Sequence, residues 1–136
     1  MSFKATTSQT LSDFRAKLDA SAFSATPVAY PNVPFEQPAD TPWMRINVVP
    51  GASRQRSIGG ITNSWRQDGG VTVQIRVPEG KGTGDLYDLV DAVAGFFRGQ
   101  QTENVRYRQV IVNEVGAVEG GYQANVSITF EDSYLF

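Results

Sequence analysis

The stretch 70-GVTVQIRVPEGKGTGDLYDLVDAVAGFF-97 changes its period in the middle. Val71, Val73, Ile75 and Val77 alternate with Thr72, Gln74 and Arg76, the two-residue repeat of a strand with one buried and one wet face. Further on, Leu86, Leu89, Val90, Val93, Phe96 and Phe97 recur at the spacing of an amphipathic helix, with Asp85, Asp88 and Asp91 on the other side. Gly99 is placed to end that helix. Pro78 ends the strand, the glycines turn, and Thr83 or Gly84 leads into a helix predicted at about 84–98. A strand is thus handed directly to a helix whose apolar stripe must be buried against the sheet.

The junction between them, 78-PEGKGTGDLYDL-89, has the composition of a phosphate-binding loop. A Walker-type loop needs GxxxxGK followed by Ser or Thr. Here Gly82 follows Lys81, and Ile75 stands where the first glycine belongs. The dinucleotide pattern GxGxxG fails as well, and Asp85 and Asp88 repel an arriving phosphate while suiting the helix's own positive end. The segment turns a corner and carries no cofactor site. Asp85, Asp88 and Asp91 advance along a solvated helix face without a histidine beside them, so no metal site is read from them.

Other segments extend the pattern. In 43-WMRINVV-49, Met44, Ile46 and Val48 alternate with Arg45, Asn47 and Val49. In 122-YQANVSITFE-131, Tyr122, Ala124, Val126, Ile128 and Phe130 share one face. A fourth strand is predicted across 106-RYRQVIVNEV-115, with a less regular period, and Gly116 to Gly121 links it to the last strand as a hairpin. Alternation of this kind predicts a mostly antiparallel sheet flanked by two helices. The first helix is read over Ser8 to Asp19, from Leu11, Phe14 and Leu18, with Thr10 or Ser8 as its cap and Asp13 in its first turn. Pro27, Pro31, Pro34, Pro38 and Pro42 then make 27-PVAYPNVPFEQPADTP-42 an extended arm, which Tyr30, Val33 and Phe35 pin to its own domain or to a neighbour. The chain therefore reads as a single domain, 1–136: a helix region 1–23, the arm 24–42, and the sheet with its second helix 43–136. The glycine-rich 51-GASRQRSIGGITNSWRQDGG-70 is read as a long loop in which Ser53–Ile58 and Ser64–Gln67 pair as a hairpin. It mixes Arg54, Arg56 and Arg66 with Trp65, residue types typical of interface hot spots, which makes these four the candidate interface residues. An internal hairpin with a core tryptophan is the competing reading.

Composition narrows the function. The 136 residues contain no cysteine and no histidine. That excludes thiol nucleophiles, Ser–His catalysis and the usual zinc ligand sets; catalysis by carboxylates, lysine or a hard metal stays open, but the balance shifts toward a protein that is not an enzyme. Net charge is only −2, yet it is unevenly placed. Between Thr41 and Val77 lie Arg45, Arg54, Arg56, Arg66 and Arg76 against Asp68 alone; from Gln109 to Phe136 the charges are Glu114, Glu119, Glu131 and Asp132. Either the sheet pairs these charges internally, or the subunit has a basic and an acidic flank suited to head-to-tail association. No apolar run approaches the roughly 20 residues that span a bilayer, and the N-terminus has no apolar signal core, so a membrane partner is not expected.

Taken in order, 30-YPNVPFEQP-38, 43-WMRINVV-49, 70-GVTVQIRVPEGKGTGDLYDLVDAVAGFF-97 and 122-YQANVSITFEDSYLF-136 resemble tail terminator proteins of long-tailed, siphovirus-like bacteriophages, over roughly residues 28–136. The resemblance implies a small α+β subunit of the virion's tail–neck junction, made in the host cytoplasm. It implies a homo-oligomer, usually a hexameric ring, that caps the completed tail tube, stops tube polymerisation and presents the surface for the head connector or stopper protein. DNA is then a partner only in passage through the pore, and no catalytic residue is carried over. Two alternatives remain at this stage: another neck component, such as a head-closure or tail-completion protein, and a small nucleic-acid-binding module, against which the pI of about 5.0 argues.

Overall fold

Each two-residue repeat becomes a strand and each three- to four-residue repeat a helix laid across the strands. A computed structural model describes residues 3–55, 64–80, 82–102 and 105–135. In chain order these form α1 (Phe3–Asp19), β1 (Val28–Ala29), β2 (Trp43–Gln55), β3 (Ser64–Pro78), α2 (Gly84–Phe97), β4 (Gln101–Thr102), β5 (Val105–Val118) and β6 (Gly121–Leu135). The strands form one sheet in the order β1-β2-β3-β6-β5-β4. Only β1 runs parallel to its neighbour. The expected α+β fold is therefore present.

Both helices lie on the same face of the sheet. Leu86, Leu89, Val90, Val93 and Phe97 of α2 pack with Phe14 and Leu18 of α1 over Met44, Ile46, Val71, Val73, Ile75, Ala124, Val126 and Ile128. These are the inward residues of the strand alternation, and every one of them is buried. Phe14 stacks on Phe97 at 6.2 Å and meets Phe96 edge-on at 6.1 Å. Phe96 is half-buried at the margin of the stripe. The predicted turn is also as read: Gly80 and Gly82 take φ of 84° and 76°, and Gly99 ends α2 at φ 69°, conformations that favour glycine.

Two expectations need correction. Helix α1 begins by Phe3 and not at Ser8. Thr10 is no cap: it lies inside the helix, buried, and its hydroxyl donates to the Thr6 carbonyl at 2.9 Å. Asp13 likewise is no first-turn residue, and accepts from Gln9 Nε2 at 2.7 Å and from the Tyr107 hydroxyl at 2.5 Å. The early turns escape an apolar-period reading because α1 docks there through hydroxyls. The buried Thr6 donates to the buried Asp132 of β6.

The described parts of residues 51–70 are also more regular than a long glycine-rich loop, and the expected pairing of 53–58 with 64–67 is met as far as they are described. Strands β2 and β3 continue into them, with Ser53 opposite Gln67, Arg54 opposite Arg66 and Gln55 opposite Trp65; residues 56–63, including the rest of the predicted hairpin, lie outside the described residues. Glycine serves close approach here. A Cβ on Gly69 would come within 2.6 Å of the Phe130 ring and 2.9 Å of the Val49 carbonyl.

Candidate interaction surface

With both helices on one face, the other face of the sheet is polar and is covered only at one corner, by the arm. Strand pairing sets Asn47, Thr72 and Ser127 in one row, and Arg45, Gln74 and Asn125 in the next. Arg76 Nη2 donates to Gln123 Oε1 at 3.0 Å, and Gln123 Nε2 to Asn125 Oδ1 at 2.9 Å. At the β1 side of this face, Trp43 is buried under Phe35 of the arm, with ring centroids 5.3 Å apart. Arg45 and Arg76 reach over the same indole at 5.6 and 5.5 Å. The arm is thus pinned by Phe35 here and by Tyr30 against Phe14 at 6.4 Å, whereas Val33 is 56% exposed.

The candidate interface residues gather at the far end of β2 and β3. Arg54 and Arg66 sit opposite each other across the two strands, and Trp65 lies between Gln55 and Tyr134 in the pairing. Arg56 lies outside the described residues. Arg66 is held by its own sheet: its Nε donates to Asp68 Oδ1 at 2.8 Å and lies 3.1 Å from Glu131 Oε2. Glu131 in turn pairs with Arg108 at 3.0 Å. The hydrogen bond to Asp68, helped by the charges of Asp68 and Glu131, raises the Arg66 pKa. Part of the charge asymmetry is therefore consumed internally, across β3, β6 and β5.

The margins of the sheet carry a feature that strand periodicity alone missed. Ile111, Val112 and Val115 of β5 are 48%, 49% and 46% exposed, and Val49 of β2 is 55% exposed. The irregular period of 106–115 is its trace: from Gln109 onward β5 loses the burial alternation that Val105 and Tyr107 still follow. Bulges between Tyr107 and Gln109 and between Glu114 and Gly116 shift its register. Near this margin Glu114 accepts from the Tyr87 and Tyr122 hydroxyls at 2.8 and 2.9 Å, and the bond to Glu114 raises the Tyr122 pKa.

Among the described residues no group of three or more acidic, histidine or cysteine side chains is placed to hold a metal ion, and no helix is long and apolar enough to cross a membrane. What the surface can do is bind: a polar face, a paired-charge end and two margins with bare apolar strand residues.

Comparison with known proteins agrees with that description. The model of a family described as phage tail terminator protein matches residues 10–130. One solved structure superposes with a TM-score of 0.74 over 98% of this chain and 97% of its own, at 21% sequence identity, a likeness of fold. No curated protein matches.

Proposed function

The chain belongs to the phage tail terminator family, and on that premise we propose that it closes the completed tail tube as a ring at the tail–neck junction. There it ends tube polymerisation and offers the surface to which the head connector or stopper protein joins. The observation that carries this reading is the placement of exposed apolar residues on opposite margins of one sheet, Val49 on β2 and Ile111, Val112 and Val115 on β5. Two different margins on one subunit suit heterologous, head-to-tail contact, the kind that closes rings. A hexamer is the expected stoichiometry. The family is a structural one, and a non-catalytic role fits a chain without cysteine or histidine.

We assign the contact with the tube or with a neighbouring subunit to the far end of β2–β3, through Arg54, Arg56, Arg66 and Trp65. A charge-reversed Arg54→Glu, Arg56→Glu pair should lose head joining; intact joining and ring formation would remove this assignment. Free-DNA binding is the weaker reading, because the carboxylates of Asp68 and Glu131 already hold the Arg66 guanidinium. The function itself is tested by withholding the protein during phage assembly. Tails of irregular, excessive length without heads are expected, and tails of normal length joined to heads would refute the proposal.

A further inference from the structure

The two margins differ from the middle of the sheet in what covers them. β1 pairs only with Met44 and Arg45 of β2, after which the arm turns, Val33 N–H donating to the Tyr30 carbonyl at 3.3 Å. At the opposite margin β4 pairs only with Val105 and Arg106 of β5. Tyr107 N–H donates to the Gln100 carbonyl at 3.2 Å, and among the described residues the outer backbone edges of β2 from Ile46 and of β5 from Arg108 onward pair with no further strand of this chain. Long, apolar open edges are templates for another strand.

We infer that the β5 edge of one copy pairs with the β2 edge of the next, so that a single sheet runs on from subunit to subunit. The inference rests on the ring reading above and adds which strands meet, in which direction and in which register. Direction follows from the strand count. β2, β3, β6 and β5 alternate in direction, so a copy related by rotation about an axis along the strands brings its β2 antiparallel to β5.

Register follows from faces and bulges. Residues on the helix side must meet residues on the helix side. On β5 these include Val110, Val112 and Glu114, opposite Ile128, Val126 and Ala124; on β2 they include Met44, Ile46 and Val48, opposite Ile75, Val73 and Val71. The uninterrupted part of β5 runs from Gln109 to Glu114 between its bulges. The open part of β2 runs from Ile46 to Pro50, where the register shifts and proline lacks the N–H for further pairing. One face-matched alignment keeps all of Ile46–Pro50 within the uninterrupted β5 run and spends both exposed margins on each other: Ile111 opposite Val49 on the polar side and Val112 opposite Val48 on the helix side. Charge agrees with it. Residues 43–55 carry Arg45 and Arg54 and no acid, while residues 109–120 carry Glu114 and Glu119 and no base.

The natural absence of cysteine makes the test direct. Val49→Cys and Ile111→Cys are made singly and together, tails are assembled with each variant, and the particles are treated with a short thiol-bridging reagent. Directly opposed residues hold their Cβ atoms about 4.5–5.5 Å apart. The double variant should give a ladder of integral multiples of the chain mass, collapsing when Ile111 is restored, and neither single variant should give a dimer. Imaging the same particles separates the possible failures. Rings at the tube end without a ladder would overturn the edge pairing and leave the ring reading standing. Dimers from Ile111→Cys alone would show two-fold β5–β5 pairing and also overturn it. Normal tails lacking this chain at the tube end would overturn the ring reading itself. Ile111→Lys supplies a second arm that needs no cross-link: the purified variant should melt like the parent yet fail to assemble, and normal assembly would contradict the inference.

Discussion

The centre and the margins of this sheet are built from the same residue types and behave oppositely. Val71, Val73, Ile75, Val126 and Ile128 are at most 1% exposed, whereas Val49, Ile111 and Val112 are about half exposed. Burial here is decided by what lies over the strand rather than by the side chain. Helix α2 packs over β3 and β6, whereas most of β5 from Gln109 onward is exposed. Soluble monomers expose single apolar residues freely. The centre holds the subunit together, and the proposed ring would use the margins for assembly.

Substitutions should separate these roles, with the largest effect on stability at the centre. Phe97→Ala removes a buried ring that stacks on Phe14 and meets Tyr107 edge-on at 4.9 Å, and should cost about 3–5 kcal/mol in urea unfolding. A cost under about 1 kcal/mol would mean that α2 is not seated as described. Next comes the polar seat of α1. Thr6→Val deprives the buried Asp132 carboxylate of its hydroxyl donor, and Asp132 Oδ1 has no hydrogen-bond partner among the described residues. The expected cost is about 1–3 kcal/mol, read from the same unfolding curves.

Tyr107 gives a smaller effect with a distinctive pH dependence. Burial, then its hydrogen bond to Asp13 and the charge of that carboxylate, raise its pKa above the ordinary 10.0. The folded state thus holds the phenolic proton more tightly than the unfolded chain. This contribution is present in full below pH 10 and is lost as pH rises past that value. Melting temperatures at pH 8 and pH 11 should fall further in the parent than in Tyr107→Phe, and equal falls would contradict the assignment. At the margin the effect on the isolated subunit should be smallest: Val112→Lys should change its stability by less than about 0.5 kcal/mol while preventing incorporation into particles. A variant that is both stable and incorporated would erase the distinction between centre and margin.

The same distinction explains what could be read in advance. The strands at 43–49, 71–77 and 122–131 were legible because the helix-covered face enforces strict alternation, and α2 because its stripe is apolar throughout. The start of α1 was not, because Thr6, Thr10 and Asp13 dock it through hydrogen bonds that no hydrophobic period records. The strand continuations through Gly51 and Gly69 were obscured by glycine, which is there because the Asp68 carbonyl and the Phe130 ring approach too closely for a side chain. At the candidate surface, the arginines were visible as residues but not their partners: the Arg66–Glu131 pair depends on β3 lying beside β6. The apolar β5 margin was visible only as a blurred period, since nothing local in a sequence says which part of a strand stays exposed.

The most direct test of the whole account is to image the head-proximal end of tails carrying a tagged form of this chain. The account predicts one closed ring of this chain at that end, between tube and head connector, with copies joined through their sheet margins. Finding the chain along the length of the tube, or absent from its head-proximal end, would contradict it.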